Sequence, residues 1–111
     1  MIGMVKAKAM YDSEAHSLLV YRENQKAYAS ISMGEIIISV DSSMKIVAVE
    51  ILNPDILYKI PEKQLESVES ASLSVQMRPP LMLIYLTLNF EKPEQELTIP
   101  ITVPIKKPMT V

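Results

Sequence analysis

Apolar side chains recur at every second position along most of this chain, and a period of two predicts strands. Residues 4–10 alternate Lys6 and Lys8 with Val5, Ala7 and Ala9, a strand with one wet face. Residues 17–21 form a short, dense apolar run, and 27–33 set Tyr28, Ser30 and Ser32 against Ala29, Ile31 and Met33. The stretch 35–52 carries the strongest pattern. Ile36, Ile38 and Val40 share one face, Val47, Val49 and Ile51 share another, and the polar connection 41–45 between them predicts an antiparallel hairpin. Asp41, Ser42 and Ser43 suit that turn, because short oxygen-bearing side chains bond nearby backbone N–H groups. Neither strand is strictly half polar, which predicts apolar cover on both faces.

The period changes after Leu52. Asn53 can cap a helix, Pro54 suits its first position and Asp55 favours its positive end, so a helical turn should direct Ile56, Leu57 and Ile60 at the sheet. Pro61 interrupts it, and 61–68 predicts a second short helix with Leu65 and Val68 turned inward. From residue 70 the period returns to two, through Leu73, Val75 and Met77, until Arg78-Pro79-Pro80 breaks the chain. In 81–90, Met82, Ile84, Leu86, Leu88 and Phe90 make one stripe. The opposite side begins with Leu81 and Leu83 and ends with Thr87 and Asn89, as if the strand entered the core and emerged from it. Residues 91–95 read as a turn. In the last strand Pro100 and Pro104 have the same parity, so both delete N–H donors from one side, which predicts an edge strand protected against further pairing. The whole predicts a mainly β fold of about seven or eight strands, an antiparallel sandwich or partly open barrel with a short helical segment near 54–68. The alternative is α+β, an antiparallel sheet with helices on one face.

Composition narrows the function classes more than it selects one. A chain of 111 residues, 49% hydrophobic, is long enough for one domain with its own core. The formal charge of −2 gives no electrostatic reason to expect nucleic acid or an anionic membrane as partner. Without cysteine, disulfides and thiolate chemistry are excluded. Lys6 and Lys8 interrupt the N-terminal region, so it does not read as a signal peptide, and the run 81–86 is far shorter than the ~20 residues of a membrane helix. These features predict a cytoplasmic protein.

The N-terminal half carries a resemblance. Tyr11-Asp12-Ser13-Glu14-Ala15-His16-Ser17-Leu18, then residues 35–41 and 45–53, resemble the small prokaryotic family called domain of unknown function 2283, over roughly residues 5–60. His16 stands where that family usually has aspartate, and Ser43 or Met44 where a turn glycine is common. The resemblance implies a compact β-rich domain and little chemistry. It divides the chain into 1–61 and a part 62–111, a helix plus a β extension of unassigned type. Family members of this kind also suggest an antitoxin-like partner role beside a small protein.

Candidate chemistry is sparse. His16 is the lone histidine, and its neighbours Asp12, Ser13 and Ser17 are adjacent in sequence, which is not triad geometry. Asp12, Glu14, Asp41 and Glu50 are the acidic candidates, but turn capping and solvated strand ends account for most of them, and no EF-hand spacing exists. Glu50 interrupts an apolar strand and so needs a basic partner or a wet face. Tyr21, Arg22, Lys26 and Tyr28 could make a stacking and phosphate patch. Of eight methionines, Met10, Met33, Met77 and Met82 fall in strand patterns, which predicts core filling over a promiscuous groove. No catalytic, cofactor-binding or metal set stands out. The expectation is a non-enzymatic protein-interaction or structural module that forms a homo-oligomer, a dimer before others, with a small protein as a further partner. The alternatives are an antitoxin-like role and a β domain binding a small ligand or nucleic acid.

Overall fold

The computed structural model describes residues 4–104. Eight antiparallel strands form a single sheet in the order β3-β4-β5-β2-β1-β6-β7-β8. They are β1 (Met4–Asp12), β2 (Ser17–Tyr21), β3 (Ala29–Met33), β4 (Ile36–Val40), β5 (Ile46–Leu52), β6 (Val68–Arg78), β7 (Leu81–Glu91) and β8 (Glu94–Pro104). Two short helices, α1 (Pro54–Leu57) and α2 (Glu62–Glu66), sit between β5 and β6. The mainly β expectation holds, and the sheet curls into a half-barrel around one buried cluster.

The curl is made by β1, which divides its pairing between two neighbours. Its first half, Met4 to Ala7, pairs with β6 and its second half, Lys8 to Asp12, with β2. Two gaps follow, one at each end of the half-barrel. At one end α2 lies against β1 and β7 with Leu65 fully buried, filling the gap. It is fastened there by Gln64 Nε2 donating to Gln95 Oε1 (2.6 Å) and by the Glu91 N–H donating to the Ser67 carbonyl (3.0 Å). The other end has no such plug among the described residues.

The core draws on both halves of the chain: Leu18, Val20, Ile38, Val49 and Ile51 meet Leu73, Ile84, Leu86, Leu88, Phe90 and Ile99. Each such side chain stabilises by about 1.5–3 kcal/mol. The hairpin turn is a five-residue loop in which Asp41 Oδ1 accepts the N–H groups of Ser43 (2.8 Å) and Lys45 (3.0 Å). Gly34 has φ 62° in the two-residue turn from β3 to β4, where positive φ favours glycine.

Several expectations are corrected. The ladder between β4 and β5 slips at Val40, leaving Val47 as an extra residue, so Ile46 joins Val49 and Ile51 in the main cluster while Val47, also buried, lies outside it. The second face of the hairpin is half-buried at Ile37, Ser39, Ala48 and Glu50 and is not sealed. Val68 begins β6 instead of ending a helix, because Ser67 closes α2 and the strand starts at once. Ile56 and Leu57 are 75% and 44% exposed; α1 is one turn long, and only Pro54 is buried within it. Asn53 caps α1 through its backbone carbonyl, which accepts from Ile56 and Leu57, while its side chain donates to Glu35 Oε2 (3.0 Å). β7 keeps its stripe buried from Met82 to Phe90 and never leaves the core.

β8 is an edge strand, as the prolines predict. The Glu91 N–H bonds back to Ser67, so odd-numbered residues of β7 turn to β6 and even-numbered ones to β8. Pro100 and Pro104 lie opposite Tyr85 and Leu81, which places both ring nitrogens on the free side.

Candidate functional site

The unplugged end of the half-barrel is a cleft of about 410 Å³. One wall comes from the sheet around β6, with Val5, Leu73, Val75 and Met82; the other is Ile46 and the turn that precedes it. Met44 and Met77 form the lips, 64% and 58% exposed. Arg22 and Lys45 stand at the mouth. Met77 was expected in the core with Met10, and both are exposed; Met82 is buried and Met33 packs against the core as expected. Unbranched thioethers on a rim can reshape around different guests.

Local sequence explains how this mouth is held. Arg22 follows the last residue of β2, its N–H donating to the Val47 carbonyl at 2.9 Å and its guanidinium reaching the Ile46 carbonyl at 3.5 Å. Met44 occupies the left-handed region at φ 65°, where an L side chain costs roughly 1–2 kcal/mol and glycine costs nothing. A long apolar side chain is therefore kept at a strained turn position, facing the cleft. Its neighbour Asp41 is held below the usual carboxylate range, first by the Lys45 N–H, then by the Ser43 N–H and the charges of Lys45 and Arg22, against an opposing push from desolvation.

Among the described residues neither Arg22 nor Lys45 has an ion-pair partner. Glu23, next to Arg22 in sequence, is engaged by Lys8 instead, which raises the Lys8 ammonium above its ordinary value. Asp41 offsets part of the positive field, leaving the mouth with an excess of one positive charge from these three groups. Two more open hollows, one ringed by Glu69, Glu94 and Glu96 beside Phe90 and one between α2 and the turn at Lys92, are lined mainly by polar and charged residues.

The residues singled out in the sequence are scattered. Asp12, Glu14 and His16 occupy the exposed turn from β1 to β2, where Asp12 Oδ1 accepts the N–H groups of Glu14 (3.0 Å) and Ala15 (3.2 Å). His16 takes φ 51° and its carbonyl accepts from Asn53. Asp41 lies at the other end of β2, beside the cleft, and serves the turn. Glu50 sits half-exposed on the outer face between Leu19 and Ile37, which is the wet-face solution. Of the basic and aromatic patch only Arg22 reaches the cleft. Among the described residues no group of three or more histidines or carboxylates could hold a metal ion, and no helix is long and apolar enough to cross a membrane. Met44 and Lys45 were missed as site residues. The signal for them was a long apolar side chain, Met44, in an otherwise polar connection.

No family model matches the chain, so the resemblance to domain of unknown function 2283 gains no support there, and no solved structure matches it. The chain is similar to an uncharacterized protein, MJ0789, of Methanocaldococcus jannaschii, 36% identical over 56 residues. The match covers 50% of this chain and 48% of that protein, so it spans about half the length of the curated relative. The likeness is to a prokaryotic protein whose name states no activity.

Proposed function

We propose that this chain is a non-enzymatic protein-interaction module whose cleft takes an apolar, acidic segment of a partner protein. The observation that carries this reading is an apolar cleft whose two mouth cations form no ion pair among the described residues. Apolar side chains would enter between Val75, Met82 and Ile46, and carboxylates flanking them would meet Arg22 and Lys45. Adaptable methionine lips suit a peptide whose side chains differ in shape. Asp41, the carboxylate beside the cleft, engages Oδ1 with the backbone N–H groups of Ser43 and Lys45.

Two fluorescent peptides with the same apolar residues, one interspersed with Asp and Glu and one with Lys, test the reading by anisotropy. The acidic peptide should bind, more weakly as salt rises. Arg22→Gln with Lys45→Gln should weaken it about 2- to 30-fold, as expected for two partly exposed charges at roughly 0.2–1 kcal/mol each. Met44→Gly should raise thermal stability by about 1 kcal/mol through relief of the turn while weakening binding. Equal binding of both peptides, or of neither, rejects the reading. A long-chain carboxylate binding in place of the peptide would make the protein a small-ligand carrier.

A further inference from the structure

The two edges of the sheet are unequal. β8 ends the sheet on one side, with Pro100 and Pro104 turned to the free edge. β3 ends it on the other and carries neither proline nor charge, reading Ala29-Ser30-Ile31-Ser32-Met33. Edge strands of stable monomers usually carry one of these blocking devices.

The backbone donors on the free side of β3 can be assigned from neighbouring bonds. The Leu52 N–H donates to the Glu35 carbonyl at 2.8 Å and the Arg22 N–H to the Val47 carbonyl at 2.9 Å. Both bonds agree that even-numbered residues of β5 turn to β4 and odd-numbered residues of β4 turn to β5. Ile36, Ile38 and Val40 therefore turn to β3, where they pair with Met33, Ile31 and Ala29. That leaves the N–H and C=O groups of Ser30 and Ser32 facing outward without a strand. The Ser30 and Ser39 hydroxyls, 3.4 Å apart, fit this assignment, since side chains of pairs that exchange no backbone bonds stand closer.

We propose that two copies of this chain join as a closed dimer by antiparallel pairing of β3 with β3, with the two-fold axis at Ile31. The strand is nearly palindromic about that residue, which argues for a second copy over a foreign strand. In this register Ser30 exchanges both backbone bonds with the partner's Ser32, and Ser32 with the partner's Ser30, so every outward group is satisfied. On the inner face Ile31 meets the partner's Ile31, covering half-buried apolar surface at the open side of the curl. Such an isologous contact uses up β3 in both copies, and the prolines of β8 leave no equal edge for a third. The inference does not rest on the cleft reading.

Sedimentation over a concentration series tests it. The wild-type protein should move from the mass of one chain to that of two and stop there. Ser32→Pro removes an N–H that pairs with no strand among the described residues, so it should keep the far-ultraviolet spectrum and melting temperature of the monomer while holding the mass at one chain throughout. Amide exchange of the wild-type protein supplies a readout independent of that variant: Ser30 and Ser32 should exchange more slowly as concentration rises. A wild-type protein that stays monomeric, grows past two chains, or shows concentration-independent exchange at both serines overturns the proposal. So does a dimer that survives in folded Ser32→Pro.

Discussion

Tyr11 and Asp55 each bury a side-chain oxygen that meets no hydrogen-bond partner among the described residues. Leaving such a hydroxyl unpaired costs about 1–3 kcal/mol. Desolvation raises the Tyr11 phenol above its ordinary value, with Glu62, Asp55, Glu66 and Asp12 adding to the shift. A raised value favours the neutral form in the folded state, so its contribution is complete below pH 10.0 and is lost as pH climbs through the folded value. Tyr11→Phe should therefore stabilise the protein by about 1 kcal/mol near neutral pH and flatten the alkaline limb of thermal melts; a less stable variant with the wild-type limb would contradict this. None of this shows in the sequence, where Tyr11 follows the alternating stretch 4–10 and opens a polar connection. Val47 was equally hidden, because a bulge breaks parity without changing composition. Asp41 was legible, since an aspartate ahead of two serines has few other uses.

At the scale of elements the sequence is easier to follow. All eight strands fall where the sequence pattern predicts them, β2 from a dense apolar run and the others from alternation, with ends moved by a few residues. The helices were harder to read. Asn53, Pro54 and Asp55 signal a start, yet one turn has no room for an apolar stripe, so Ile56 and Leu57 remain in water. The proline pair of β8 is the most informative local feature, because parity alone assigned it an edge. Pro100→Thr with Pro104→Thr restores two donors on that edge, and light scattering should then show species larger than those of the wild-type protein. Unchanged size at high concentration would mean that the prolines guard nothing.

For the whole molecule, burial follows from the periodicity, but the site does not. The cleft exists because β1 changes neighbours near Lys8 and because α2 fills only one of the two gaps that result. Its lining comes from residues 5, 22, 44–46, 73, 75, 77 and 82, far apart in the chain, so no local motif could announce it. The folded body measures 52 × 28 × 25 Å, and β3 supplies none of the residues that line the cleft.

β1 has one more consequence. A strand that lends its first residues to the later part of the chain and its last residues to the earlier part acts as a shared beam, and neither side stands without it. Denaturation should accordingly proceed in one step, with fluorescence and circular dichroism traces superimposed. A piece ending at residue 61 should stay unfolded in isolation, because half of its first strand would have lost its neighbour.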